Sequence, residues 1–263
     1  MTRKSSVSNN NKVSKDGLMV LLGLSPYNAD FSDLEPLFVG FDIEASRRQR
    51  HVAHHDPTHR PLITEVGLAI LDSRDLARDM MSSPKTLIRS ESFKVRADDG
   101  EPADNSVCLS GVAATVRHAI EVVDDKSQDN RLRNVVIVGH SPQGDLTMLK
   151  NLGFDLDNSA TRYRVLDTHC LANKILPKCI EPEKKVEWTL KGVMERLGCV
   201  FDYKSFHDGD NDAHHHLNVM VKLGFCAFDD NDQNQATQSQ QTPEQANRDG
   251  LQEWYKVQFC NNL

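Results

Sequence analysis

The chain has 263 residues, of which 38% are hydrophobic and 26% charged, and carries a formal net charge of −7. That balance is globular and excludes a fibrous chain or a protein that coats nucleic acid through bulk positive charge. Apolar runs such as 18–24 and 135–138 fall far short of the ~20 residues that span a bilayer, so no membrane span is expected. Residues 1–16 are rich in Ser, Asn and Lys and read as a disordered tail. Arg3, Lys4, Lys12 and Lys15 precede the first acid, Asp16, which keeps a mitochondrial presequence open beside a cytoplasmic or nuclear location. Residues 17–35 form an N-terminal extension. In the body, 36–228, strands are expected over 37–45, 62–71 and 86–95. A helix follows over 111–123, with Val112, Val116, Ile120 and Val123 at helical spacing. The nearly all-apolar stretch 134–139 reads as the buried centre of a sheet and runs into a helix carrying Leu146, Leu149 and Leu152, stopped by Gly153. A strand over 163–167, a helix over 188–197 and a last helix over 211–225 complete the body. Residues 229–250 are rich in Gln, Asn and Asp and read as a polar linker. Residues 251–263 carry Trp254, Tyr255, Val257 and Phe259, and would dock on the body or meet a protein partner.

Three consecutive strands followed by alternating helices and strands make an α/β fold with a mixed central sheet and helices on its faces. The six cysteines form no C-x-x-C pair, which suits reduced thiols in an intracellular protein.

Three stretches carry candidate chemistry. Asp42 and Glu44 interrupt the apolar strand 37–45 at i and i+2, so both carboxylates project from one face. Two like charges there are costly unless something neutralises them, and a hard divalent cation that prefers oxygen ligands does so economically. A solvent-facing strand edge is the plainer alternative. The D-x-E spacing is weak by itself, since Asp33-Leu34-Glu35 repeats it off the strand. The second stretch, Gly139-His140-Ser141-Pro142-Gln143-Gly144-Asp145, follows a buried strand and opens a helix. Strand ends that feed helices collect ligands in α/β sheets, although Asp145 could equally be a helix cap. In the third, His207-Asp208-Gly209-Asp210-Asn211-Asp212-Ala213, a loop histidine suited to proton abstraction near neutrality precedes an acid in the first helical turn. A surface loop and a helix-terminal acid would look the same.

Together and in this order, these stretches resemble the DEDDh branch of the DnaQ-like 3′→5′ exonucleases, which share an RNase H-like fold. Phe-Asp-Ile-Glu at 41–44, Gly-His-Ser-Pro-Gln-Gly-Asp at 139–145 and His-Asp-Gly-Asp-Asn-Asp-Ala at 207–213 match the three motifs of that group. The tyrosine variant is disfavoured, because the residue four after Tyr203 is His207. The resemblance covers about 36–228 and is nearest to a little-characterised fungal branch. It implies three consecutive antiparallel strands followed by parallel ones. It also implies that Asp42, Glu44, Asp145 and Asp212 hold two Mg²⁺ or Mn²⁺ ions and that His207 is the general base. The substrate would be the 3′ end of single-stranded RNA or DNA, released as nucleoside 5′-monophosphates. Phe41, Ile43 and Leu146 become candidates to contact the terminal base. Two divalent ions would neutralise the four acids, so the acidic net charge does not contradict nucleic-acid binding.

The departure from the pattern is the insertion 47–61, with Arg47, Arg48, Arg50 and Arg60 among four histidines. It is either a contact for substrate phosphates or a solvated loop. The run His214-His215-His216 reads as helix surface, since adjacent helical residues face different ways. The alternative function is a non-catalytic RNase H-like module that binds nucleic acid or protein. A small-molecule phosphohydrolase is disfavoured because no D-x-D pattern follows Asp42.

Overall fold

In the computed structural model, which describes residues 12–24, 35–46, 62–78, 87–101, 103–176, 188–199, 201–202, 206 and 208–235, the alternation of one strand separates two cores. On β1 (Leu37–Ala45), Leu37, Val39, Phe41 and Ile43 enter one core with Val112, Val116, Ile120 and Leu149. Phe38 enters the other, with Leu217, Met220, Leu171 and Met194. Asp42 and Glu44 share the face of Phe38, because side chains two residues apart on a strand point the same way.

The sheet contains β1, β2 (Ile63–Asp72), β3 (Ile88–Arg96), β4 (Ser106–Cys108), β5 (Val135–Gly139) and β6 (Tyr163–Asp167), in the order β4-β3-β2-β1-β5-β6. β1, β2 and β3 are consecutively antiparallel, while β5 runs parallel to β1 and β6 parallel to β5. This is the RNase H-like arrangement expected from the sequence. The short β4, parallel to β3, was not expected. Helices α3 (Val112–Ile120) and α4 (Gln143–Asn151) cover one face. Helices α1 (Lys15–Leu21), α5 (Thr168–Ile175), α6 (Leu190–Arg196) and α7 (Gly209–Gln235) build the other, while α2 (Ser73–Arg78) follows β2.

Two expectations are corrected at the ends. Residues 12–16, read as part of a disordered tail, are ordered: Lys12 bridges to Val165 at the edge of β6, and Val13 is buried. Ser14 caps α1 by accepting a hydrogen bond from the Gly17 N–H at 3.0 Å. The apolar run 18–24 spans the end of α1 and the turn after it, and packs with α7 in the core. Helix α7 extends to Gln235, beyond the expected end at 225 and into the polar linker. Once its first turns are nucleated by packing, polar residues prolong the backbone ladder at little cost. The segment 251–263 lies outside the described residues. No helix among the described residues is long and apolar enough to cross a membrane.

The lower end of the sheet, where β1 and β5 begin and β2 ends, is tied by ion pairs. The side chain of Arg74, 7% exposed, reaches Glu35 at 2.6 Å and Asp124 at 2.6 Å. Arg133 pairs with Asp72 and donates to the Glu35 carbonyl at 2.7 Å. Charges buried this deeply persist only when paired.

Helix α7 lies so close to β1 and β2 that two glycines are obligatory. A Cβ on Gly40 would sit 2.3 Å from the Ala213 carbonyl oxygen, and one on Gly67 would sit 1.8 Å from that of Gly209. Both obstacles are backbone and cannot rotate away. Gly40→Ala and Gly67→Ala are each expected to destabilise the protein by about 2 kcal/mol or more in urea denaturation. Gly144→Ala, on α4 with nothing within 4 Å of its Cβ, should be neutral or stabilising by about 0.5 kcal/mol.

Candidate metal centre

The crossing of α7 over β1 builds the site. Asp42 and Glu44 stand on the α7 face of β1, and Asp212 lies in the first turn of α7, one residue before the Ala213 carbonyl that faces Gly40. One carboxylate oxygen from each of Asp42, Glu44 and Asp212 lies within 4.8 Å of the others. Asp212 is buried and the other two are half-buried. Three like charges this close disfavour one another unless a positive charge joins them. An all-oxygen, carboxylate-rich donor set suits a hard divalent cation such as Mg²⁺ or Mn²⁺. Asp42 Oδ2 and Asp212 Oδ1 are buried and accept no hydrogen bond, although both residues interact elsewhere. The residues present therefore fit a cation.

Asp145 is placed differently. It lies in the first turn of α4 and is not part of the group of three. It occupies the same edge of the sheet, because β1 and β5 run parallel and α4 follows the end of β5. The turn that delivers it passes through Ser141 at φ 62°, a left-handed conformation uncommon for a residue with a side chain. Asp167 holds that turn by accepting the Ser141 N–H at 3.0 Å, while also capping α5 through the His169 N–H at 3.0 Å.

The remaining candidates separate clearly. His207 lies outside the described residues, between Phe206, which packs on Phe201 and His215, and Asp208. Arg47, Arg48 and Arg50 also lie outside them. Phe41 and Ile43, expected to contact a terminal base, are 2% and 1% exposed. Alternation turns them away from the acids and into the α3/α4 core, so their side chains pack the interior rather than a ligand. Leu146 packs against the same core, half-buried.

Further residues frame the site. Glu65 is buried directly across the β1–β2 register from Glu44, and Lys94 on β3 pairs with it. The Trp188 carbonyl accepts from His140 Nε2 at 2.6 Å and from His169 Nδ1 at 3.0 Å, clasping the approach to α6 onto the end of β5. The histidine run on α7 is a correction. His215 and His216 are 7% and 3% exposed, so they belong to the interior and not to the helix surface. Helical spacing was the available signal, since His216 falls four residues after Asp212 and beside Leu217 on the buried side. Burial pushes His216 down to about 3 and His215 down to about 4, the latter helped by neighbouring His214.

Residues 103–223 match the family model DEDDh_C, described as DNA polymerase III subunit epsilon-like, C-terminal domain. The match is a similarity of these residues to that family. It covers somewhat less than half of the chain, including Asp145, His207 and Asp212 but not β1. Among curated proteins, none matches the sequence.

The buried histidines set a pH dependence. Above about pH 6.5 they are neutral whether the chain is folded or unfolded, and their contribution is constant. Below it the unfolded chain takes up protons that His215 and His216 refuse, so stability falls as pH drops toward their folded values. The slope is at most about 1.4 kcal/mol per pH unit for each histidine. Glu35, Asp72 and Asp124 are shifted below the ordinary carboxylate range, so their contribution is lost only at lower pH. Urea midpoints should therefore decline between pH 6.5 and 4.5, and His215→Phe should flatten the decline. A midpoint constant over that range would mean these imidazoles are not held neutral.

Proposed function

We propose that this protein is a DnaQ-like DEDDh exonuclease that hydrolyses single-stranded RNA or DNA from the 3′ end, releasing nucleoside 5′-monophosphates with the help of two Mg²⁺ or Mn²⁺ ions. The observation that carries the proposal is the convergence of Asp42, Glu44 and Asp212, in a chain whose residues 103–223 match that family. Composition alone would not suggest it, because the net charge of −7 is unfavourable for polyanion binding until the acids are neutralised.

Asp42, Glu44 and Asp212 would hold the ions, with Asp145 supplying a further oxygen from the first turn of α4. When bound, divalent ions stabilise charge on both the attacking and the leaving oxygen of a phosphodiester. An imidazole nitrogen of His207 would take a proton from the attacking water. The new bond joins water oxygen to phosphorus, and the bond to the 3′ oxygen of the preceding nucleotide breaks. The leaving 3′ oxygen takes a proton from solvent, so the shortened strand keeps a 3′ hydroxyl. Asp42 and Glu44, on one strand face, fix the spacing of the donors. Asp212, anchored in the first turn of a long packed helix, closes the group from above. The arginines of 47–61, which directly follow β1, are proposed to contact the phosphates of the strand.

The second reading, a non-catalytic RNase H-like binding module, is favoured by one observation: Asp145 stands outside the group of three. Incubation of 5′-labelled RNA and the matching DNA in Mg²⁺, Mn²⁺ or EDTA separates the two readings. A ladder that shortens from the 3′ end, abolished by EDTA, is the expected result. Asp42→Ala, Asp212→Ala and His207→Ala should each lower the rate by about 10³-fold or more. Intact strands in both metals, with a folded protein, would select the binding module.

A further inference from the structure

We infer that His216 is a positioning residue for the acid site, holding Asp42 and Asp212 in mutual register through a hydrogen bond from α7 to β1. The inference rests on the reading that these acids bind a divalent cation. His216 is 3% exposed at the interface of α7 with β1, and its Nδ1 donates to the Phe41 carbonyl oxygen at 3.1 Å. A carbonyl acceptor requires the proton on Nδ1, so the ring is the Nδ1–H tautomer.

The location of this bond gives it its role. The Phe41 carbonyl and the Asp42 N–H belong to one planar peptide. Fixing that plane fixes the direction in which the Asp42 side chain leaves the strand. On α7, Asp212 precedes His216 by four residues, one helical turn along the same face. A single hydrogen bond therefore anchors the helix one peptide from one acid and one turn from another. It also falls where β1 loses its parallel neighbour. The last β1–β5 pair is Gly40 with Val138, and β1 continues to Ala45 beyond it. Along that projecting stretch, helix α7 supplies support that a strand supplies below. Close packing at Gly40 and Ala213 sets the distance between the elements, but packing alone permits sliding, whereas a directional hydrogen bond does not.

The test compares two substitutions in the full-length protein. His216→Leu fills the space without a donor. His216→Asn places an amide N–H near the position of Nδ1. Mn²⁺ binding is measured by electron paramagnetic resonance, and exonuclease kcat and KM are measured well below the thermal midpoint of each variant. His216→Leu is expected to lose about tenfold or more in Mn²⁺ affinity and in kcat, as is typical when a partner that orients a metal ligand is removed. KM for the oligonucleotide should change little, and His216→Asn should recover most of the loss. Wild-type Mn²⁺ affinity in His216→Leu would overturn the inference, as would equal loss in both variants, since shape and not the bond would then matter. Failure of the wild type to bind Mn²⁺ would instead remove the metal-site reading, and this inference with it. If His216→Leu does not fold, nitrogen NMR of the wild-type ring decides. Its Nδ1–H resonance should shift on Mg²⁺ addition with the midpoint of metal binding, and an unmoved resonance would overturn the inference.

Discussion

The close crossing of α7 over β1 and β2 is the constraint on which the site depends. Gly40 and Gly67 remove the side chains that would hold the helix away, and the backbone at Ala213 and Gly209 occupies the space. Everything chemically distinctive follows from that proximity. Asp212 reaches the face of Asp42 and Glu44, His216 reaches a strand carbonyl, and the start of α7 comes down beside Glu65. The same helix seals the larger core through Leu217, Met220 and Val221. Stability and site geometry are therefore set by one contact. A substitution that lifts the helix would loosen both together, because close-packed interiors transmit such shifts.

The sheet treats charge differently at its two ends. At the lower end, Glu35, Asp72 and Asp124 are matched by Arg74, Arg133 and Lys126 at salt-bridge distance. These pairs lash the start of β1 to the start of β5 and the end of β2. At the upper end, three carboxylates converge on one another. Mutual repulsion makes that gathering an arrangement for a counter-charge, and a dication answers several carboxylates at once. Glu65 extends the acidic row from β1 onto β2, where Lys94 on β3 pairs with it. The pair places a positive side chain, 68% exposed, one strand beyond the acidic row.

Much of the fold was legible because strand alternation and apolar runs are local signals. β1, β5 and β6 fall where 37–45, 134–139 and 163–167 were expected. Helices α3, α4 and α6 fall where their apolar stripes lie. What carries little sequence signal is short or capped rather than periodic. Helix α5 spans only Thr168–Ile175 and is announced chiefly by Asp167 as its cap. β4 has three residues. The acids on β1 were legible because charge inside an apolar strand is anomalous. The burial of His215 and His216 was not, because three adjacent histidines look alike in sequence while only helical phase decides which face inward. Phe41 and Ile43 face away from the acids for the complementary reason. They adjoin the acids in sequence, but on a strand the neighbours of a site residue face the opposite way.

The four acids are thus held by three different devices, and the difference bears on how the site would assemble. Asp42 and Glu44 belong to a strand hydrogen-bonded to β2 along its length. Asp212 belongs to a helix packed against the same strand. These three are organised in advance. Asp145 hangs from a separate construction, the Ser141 turn held by Asp167 and neighboured by the Trp188 clasp. In the proposed exonuclease Asp145 would be the last donor, drawn in by ligand and cation together, since such contacts often tighten only in the loaded complex. The left-handed Ser141 and the Asp167 carboxylate that restrains it would then govern how far α4 can follow. Control over the final donor would then reside in the turn between β5 and α4 rather than in the crossing that builds the rest.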